Sequence, residues 1–287
     1  MDKVEWLYRE VLVPLNSLLT FNCPPTMGSP RIKLSKIINA AKGSTLPLCI
    51  LLMLQYNNWG YSAYLISALH GSYGLVWCLK GIICPDPYWD QDATLASCMI
   101  SGAVLTGYWS SAFIIITSHV KTSPPRMFVA IMMYVFGVVT MIASDTQKYF
   151  VLLEKRRTKD KGGFLINDGW FKTCRNTNYL GEMLLYASFC LLSQSIVPWV
   201  FTLFMWVGVF FSRFYVKERS FARKEGGVGY IQSSSIIFPA PLPPFLPLPS
   251  MFQTPDVSTA VRGDTNNTKG RERVLVPVQK AGGRRRK

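Results

Sequence analysis

The side chains best suited to chemistry lie in one polar stretch, residues 145–182, where a basic loop leads into an apolar segment. Lysine and arginine side chains near the start of a helix can hold phosphate groups through charge-assisted hydrogen bonds and a favourable helix dipole. Asn178 offers an amide donor and acceptor that suit a carboxamide. Glu182 lies one helical turn further on the same face, where a carboxylate is costly unless it has a partner. The stretch predicts either a site for a phosphate-bearing ligand or a basic loop with Glu182 at the membrane interface.

The composition of the whole chain indicates a membrane protein. Its 287 residues are 49% hydrophobic and only 16% charged, whereas soluble domains carry about 25% charged residues. The 31 Lys and Arg residues against 16 Asp and Glu leave a net charge of +15, which in so apolar a chain belongs in loops and tails. These numbers exclude disorder as the main state. Because the basic residues flank apolar segments and form no face with stacking aromatics, we expect no nucleic-acid partner.

The cysteines and histidines do not form a metal-binding pattern. Seven cysteines and two histidines are scattered along the chain without a Cys-x-x-Cys pair. A structural zinc site needs four well-placed nitrogen or sulfur ligands. We therefore expect no metal and interpret the cysteines as buried or lipid-facing thiols.

Long segments with little or no charge predict the membrane-spanning part. A crossing helix needs roughly 20 apolar residues, and in lipid the backbone must satisfy its own hydrogen bonds. The segments that qualify are 46–84, 93–118, 127–144 and 180–212. The first has room for two short crossings that turn near residues 57–60 or 70–74, and the last for a hairpin broken at Pro198. We expect an all-α fold, a polytopic transmembrane helical bundle with about six crossings.

The distribution of Lys and Arg predicts the orientation. Basic runs lie at 31–42, 148–175 and 213–224, and the positive-inside rule places such runs in the cytosol. We expect an integral membrane protein of the endoplasmic reticulum with the 145–178 loop and the C-terminal tail in the cytosol. In an alternative, residues 46–84 make a single pass plus a re-entrant piece, and the N-terminus lies on the other side.

An octapeptide inside the polar stretch resembles a known signature. Residues 175–182 read Arg-Asn-Thr-Asn-Tyr-Leu-Gly-Glu. They are similar to the Arg-Asn-x-Asn-Tyr-Leu-Gly-Glu/Asp motif of membrane-embedded, NADPH-dependent reductases, the steroid 5-alpha-reductases and the sterol C14 and delta-7 reductases. Upstream, Thr146-Gln147-Lys148 resembles the Ser-Gln-Lys element of the sterol reductases. Downstream, residues 213–239 resemble the basic stretch that precedes a closing Tyr and Pro in that family.

The resemblance implies an enzyme that transfers a hydride from NADPH to a C=C bond of a steroid, sterol or other lipid. By position, Lys148 and Arg175 are expected to contact phosphates, and Asn178 the nicotinamide end of the cofactor. Tyr179 and Glu182 are expected in the same pocket as catalytic and cofactor-binding residues. The resemblance adds three further cofactor-binding positions, Gln147, Arg219 and Tyr230.

The resemblance and the composition together divide the chain into four regions. They are an N-terminal juxtamembrane segment, the N-terminal transmembrane helices, a cofactor-binding reductase-like region and a tail, at residues 1–45, 46–144, 145–240 and 241–287. The tail is rich in proline and ends in basic residues, so we expect it to be disordered.

The early helices depart from the steroid 5-alpha-reductases, in which a Gln-Glu pair and a Tyr engage the substrate carbonyl. The apolar part of 46–144 contains no Glu. The side chains that remain as proton donors, among which the sequence does not select, are Tyr56, Tyr61, Tyr64, Tyr73, Tyr108 and His70.

Two other functions are compatible with the sequence. Isoprenylcysteine and phospholipid methyltransferases carry a related Arg-x-Pro-x-Tyr-x-Gly pattern and bind S-adenosylmethionine. Thr177 stands at the position of that proline, and Glu182 follows Gly181, which favours the reductases. The third hypothesis is a membrane protein that keeps the fold without the chemistry.

Overall fold

The computed structural model describes residues 3–24, 31–158 and 164–239, and most of the residues in these ranges are helical. The α-helices are α1 Lys3–Trp6, α2 Val13–Phe21, α3 Leu34–Gly43, α4 Thr45–Gln55, α5 Tyr61–Ile83, α6 Leu95–Thr106, α7 Ser110–Thr117, α8 Pro124–Arg157, α9 Thr177–Ser193, α10 Ile196–Met205, α11 Phe211–Ala222 and α12 Gly227–Ser233. Short π- or 3-10-helical turns continue α1 into α2, α6 into α7 and α10 into α11. Strands β1 Arg31–Lys33 and β2 Asp92–Thr94 pair antiparallel, with Arg31 opposite Thr94. The tail predicted at 241–287 lies outside the described residues.

Four helical stretches among the described residues are long and apolar enough to cross a membrane. They are Leu34–Gln55, Leu95–Thr117, Pro124–Arg157 and Ile196–Ala222. The prediction of an all-α, polytopic membrane protein is confirmed. The number of six crossings stays a prediction, for which α5 and α9 supply the further helices. Helix α5 has 23 residues and is therefore about 34 Å long, which is enough for a crossing.

The first candidate span starts earlier than the sequence indicated. Helix α3 begins at Leu34 and continues, after a turn residue at Ser44, into α4. The boundary predicted at residue 46 therefore falls inside the span. Lys42, predicted as part of a cytosolic basic group, is only 4% exposed. It is accommodated in the interior because two tyrosine hydroxyls accept hydrogen bonds from its ammonium group.

The first of the two turn positions considered for residues 46–84 is correct. Asn57 adopts a left-handed conformation with φ 46°, and the Asn58 amide donates to the carbonyl of Ile116 at 2.7 Å. These contacts stop α4 and start α5. Residues 70–74 instead continue α5 without a break.

The break predicted at Pro198 lies at Gln194. Helix α9 ends at Ser193, and Gln194 has φ 53° in the left-handed region. Pro198 sits in the first turn of α10, where a missing N–H costs nothing because no helical acceptor precedes it. The Ser195 side chain accepts a hydrogen bond from the Val197 amide and caps this helix.

Helices α8 and α9 pack at unusually short range, and this contact holds the signature octapeptide. Gly137 on α8 and Gly181 on α9 face each other. A Cβ atom on Gly181 would lie 2.5 Å from the Met141 amide nitrogen and 2.7 Å from the Gly137 carbonyl oxygen. Small residues at a membrane helix contact allow such close backbones. The core beside this contact contains Tyr73, Phe189 and neighbouring apolar side chains of α3, α5, α7, α8 and α9.

Candidate active site

The loop that begins the signature is fastened to the end of the described chain. Cys174 and Ser235 form a parallel bridge, in which the Arg175 amide donates to the Ser235 carbonyl at 2.8 Å and the Ser235 amide donates to the Thr173 carbonyl at 3.0 Å. The Asn176 side-chain amide donates to the Ile236 carbonyl at 3.1 Å. The start of α9 is therefore held from outside its own helix.

Arg175 belongs to this fastening. Its side chain is 3% exposed and its Nε lies 2.8 Å from the Glu218 carboxylate. Its Nη1 donates to the Ile231 carbonyl at 2.9 Å and also to the carbonyl and hydroxyl oxygens of Ser234. A buried guanidinium with its charge paired inside the protein serves to hold the loop, and Arg175 is not part of the cavity wall described next.

A cavity of about 360 Å³ lies against the first turns of α9. Asn178, Tyr179 and Glu182 from the signature line it, together with Lys148 from α8. The structure therefore brings four of the sequence-predicted site residues to one cavity.

The cavity wall carries more positive than negative side chains. The basic ones are Lys42, Lys80, Lys148, Arg213 and Lys217, and the acidic ones are Asp86, Asp145 and Glu182. Lys80 and Asp145 form an ion pair with both side chains nearly buried, so their opposite charges cancel. The remaining excess of positive charge suits an anionic ligand such as a phosphate.

Arg213 and Lys217, one turn apart on α11, are positioned by aromatic rings. The Arg213 guanidinium lies 3.3 Å from the ring centroid of Tyr88. The Lys217 ammonium lies 4.6 Å from the ring of Tyr179 and donates to the Asn176 side-chain oxygen at 3.1 Å. Both cations are thus held at the wall by cation–π contacts, and Tyr179 supports one of them.

Asn178 presents an unsatisfied acceptor at this wall. The residue is 8% exposed, and its Oδ1 has no hydrogen-bond partner among the described residues. An unpaired buried polar atom costs about 1–3 kcal/mol, so a ligand that donates an N–H to this oxygen would be favoured. A carboxamide is such a ligand, and the residues present therefore fit a nicotinamide dinucleotide.

Glu182 is joined to a group of tyrosines. Its Oε2 accepts a hydrogen bond from the Tyr186 hydroxyl at 3.4 Å. The Tyr186 hydroxyl is 3.0 Å from that of Tyr73, and both accept from the Lys42 ammonium. The carboxylate therefore has a hydrogen-bonded partner one turn along its own helix.

The other sequence-predicted site residues lie away from the cavity. Gln147 holds the loop after α8, since its side chain donates to Asp168 at 3.0 Å and accepts from the Trp170 amide at 2.9 Å. Arg219 donates to the Tyr215 hydroxyl at 2.9 Å beside a separate groove on α11. Tyr230 is buried and donates to the Phe171 carbonyl at 2.6 Å, and burial raises the pKa of its hydroxyl. These three residues anchor loops and helices around the site.

The proton-donor candidates divide by burial. Tyr56, Tyr61 and Tyr64 are exposed, whereas Tyr73, Tyr108 and His70 are buried. Of the buried three, Tyr108 is on the cavity wall.

Sequence reasoning missed seven members of the site: Lys42, Lys80, Asp86, Asp145, Tyr186, Arg213 and Lys217. A signal existed for Lys80, which is the single charged side chain in 46–84, because an ionisable residue in an apolar span is expensive and usually functional. Lys42 gave no such signal, because it is the last residue of the basic run 31–42, whose composition is typical of a loop.

The fold and the site together define a class: a polytopic helical membrane protein with a cavity that has a cationic, hydrogen-bonding wall. Residues 91–240, more than half of the chain, match the family described as 3-oxo-5-alpha-steroid 4-dehydrogenase. The protein belongs to this steroid 5-alpha-reductase family of membrane oxidoreductases. Among curated proteins, none matches the chain.

Proposed function

We propose that the protein is an NADPH-dependent reductase of a C=C bond in a steroid, sterol or related lipid. The observation that carries the proposal is a cavity lined both by Asn178 and Glu182, one turn apart on α9, and by three cations, Lys148, Arg213 and Lys217. None of these three cations forms an ion pair within the described ranges. The matched family supports a steroid-type oxidoreductase. A methyltransferase and a non-catalytic membrane protein remain the alternatives to be tested.

The cofactor-binding half of the proposal rests on the chain's own groups. Lys148, Arg213 and Lys217 would hold the phosphates, because ammonium and guanidinium groups form charge-assisted hydrogen bonds to phosphate oxygens. Asn178 Oδ1 would accept the carboxamide N–H. When bound, the reduced nicotinamide supplies the hydride. The protein orients it, and the surrounding aromatic rings exclude water, which strengthens each electrostatic contact.

The substrate half rests on the apolar wall. This wall is formed by side chains of α2, α6, α10 and adjoining turns, namely Leu12, Leu15, Leu19, Ile100, Val104, Phe201 and Phe204. Leu15, Leu19 and Phe204 are also exposed. A wall with exposed apolar side chains suits a substrate that reaches the site from the bilayer.

The proposed orientation places the cationic wall near the cytosol, where NADPH is available. Helix α8 ends with Lys155, Arg156 and Arg157, and such basic ends favour the cytosolic side. We propose the endoplasmic reticulum as the membrane, on the sequence argument above.

The test is ligand-dependent thermal stability of the purified protein. NADPH at 100 times its Kd stabilises a protein by about 2.7 kcal/mol, so NADPH should raise the Tm and S-adenosylmethionine should not. Lys148→Glu should abolish the NADPH shift, whereas Lys172→Glu, an exposed lysine outside the cavity, should retain it. A shift with S-adenosylmethionine alone would replace the proposal by a methyltransferase. No shift with either ligand, together with unchanged cellular lipids on deletion, would support the non-catalytic alternative.

A further inference from the structure

Lys42 is a buried cation enclosed by aromatic rings. Its Nζ lies 3.3 Å from the ring centroid of Trp77, 4.8 Å from that of Tyr73, and 5.8 Å from those of Tyr108 and Tyr186. Each ring face attracts an ammonium ion, and the attraction grows when water is removed. The cage therefore fixes the position of a charged donor inside the membrane domain.

The hydrogen bonds of Lys42 leave one donor available. An ammonium group has three N–H bonds and no acceptor. Lys42 donates to the Tyr73 hydroxyl at 2.8 Å and to the Tyr186 hydroxyl at 3.1 Å. Among the described residues no nitrogen or oxygen atom accepts its third N–H, and Lys42 belongs to the cavity wall. A ligand oxygen in the cavity would complete its hydrogen bonding.

The charge of Lys42 is balanced within the same cluster. Tyr186 accepts from Lys42 and donates to Glu182, so one hydroxyl bridges the ammonium and the carboxylate. A second anion in the cavity would meet the negative charge of Glu182 across this bridge. The cluster therefore favours a neutral acceptor over a carboxylate.

We propose that Lys42 is the residue that recognises the substrate, by donating its third N–H to a neutral ketone oxygen on the lipid. The inference rests on the proposed function and deepens it, since it names the group that replaces the missing early-helix glutamate. The inference also predicts a binding specificity: the site should bind a lipid ketone more tightly than the same lipid without the oxygen, and more tightly than a lipid carboxylate.

The experiment is equilibrium binding to the full chain in nanodiscs without any dinucleotide. The probes are a 4-ene-3-one steroid, the same steroid without the 3-oxygen, and a steroid carboxylate. A hydrogen bond from a charged donor is worth about 10- to 100-fold in affinity, so the wild type should bind the ketone that much more tightly than the deoxy steroid. Lys42→Met should bind the two equally.

The matched control is Lys36→Met, which removes an exposed lysine from the same helix and should keep the ketone preference. Equal binding of ketone and deoxy steroid by the wild type, tighter binding of the carboxylate, or a ketone preference that survives in Lys42→Met would overturn the inference. The inference would also be overturned if the wild-type protein binds NADPH but binds none of the steroids.

A measurement on the unmutated protein covers the case in which Lys42→Met does not fold. The C=O stretch of a bound, ¹³C-labelled ketone should move to lower frequency than in hydrocarbon, because an ammonium donor weakens the C=O bond. An unshifted band refutes the contact. The outcomes separate the two proposals: a ketone preference without NADPH binding would refute the proposed reductase function and leave Lys42 as a ketone-binding residue.

Discussion

The contact between Gly181 and helix α8 offers a sharp test of how the site is positioned. In Gly181→Ala, the new Cβ would lie 2.5 Å from the Met141 nitrogen, 2.7 Å from the Gly137 oxygen and 2.9 Å from the Met141 Cα. All three are backbone atoms, so no side chain can move aside. Since contacts of this kind are comfortable at about 3.5–4.0 Å, α8 and α9 must separate by about 1 Å.

The cost has two parts. Overpacking a tight contact typically costs about 1–3 kcal/mol of stability, which is a factor of about 5 to 150 in the folding equilibrium. The second part falls on the site, because Gly181 lies between Asn178 and Glu182, and a shift of α9 moves both away from groups held by α11. The loss of one well-formed hydrogen bond to a ligand is about tenfold in affinity.

The assay is thermal unfolding of Gly181→Ala with and without NADPH. We expect a lower Tm in both conditions and a smaller stabilisation by NADPH. Gly229→Ala is the matched control, since no atom lies within 4 Å of its added Cβ, and its Tm should stay level or rise slightly. If Gly181→Ala has the Tm and NADPH affinity of the wild type, the helix contact does not position the site.

Three further predictions concern buried or paired groups. Lys80→Met should destabilise the protein by about 3–5 kcal/mol because it leaves Asp145 unpaired, whereas Lys80→Met combined with Asp145→Leu should lose less than the sum of the single changes in a double-mutant cycle of unfolding free energies. Arg175→Gln should cost a similar amount by leaving the nearly buried Glu218 unpaired, and should release the loop, measured as faster amide exchange at residues 173–177. Burial raises the pKa of the Cys174 thiol, so its alkylation should stay slow at pH 9, where an ordinary thiol is largely ionised.

Each of these has a clear contrary result. Additive losses in the cycle would mean that the two side chains do not interact. Unchanged exchange in Arg175→Gln would mean that the loop is held by other contacts. The raised pKa of the Cys174 thiol links its ionisation to folding. The thiol's contribution to the stability of the folded protein is fully present below the pKa that the thiol has in the unfolded chain. This contribution is lost as the pH rises through the higher pKa that the thiol has in the folded protein. Rapid alkylation at pH 9 without unfolding would contradict the burial.

The sequence predicted the candidate membrane-spanning helices wherever a long uncharged run has clear ends. The span Leu95–Thr117 lies within the predicted segment 93–118, and the predicted segment 127–144 lies within Pro124–Arg157, because hydropathy is a property of the segment itself. Helix ends were harder. The hairpin break lies at Gln194 because a left-handed backbone ends α9, whereas Pro198 is tolerated in a first helical turn.

The candidate site was predictable to the extent that it lies on one helix. Asn178 and Glu182 share a face of α9 by helical period alone, and both line the cavity. Arg175 could not be distinguished from a ligand-binding arginine, because its partners Glu218, Ile231 and Ser234 are distant in sequence. The sequence shows that residue 175 is basic, but it does not show that this charge is paired with Glu218.

The amino-acid sequence by itself determined the membrane-embedded, helical class and the segment that faces the cavity, since both follow from local composition and period. Only the tertiary structure decided which charges enter the site. Lys42 on α3 meets Tyr73 on α5 and Tyr186 on α9, and Lys80 meets Asp145 on α8. A buried charge is stable only where packing brings it a partner, and for Lys42 and Lys80 a different helix supplies that partner.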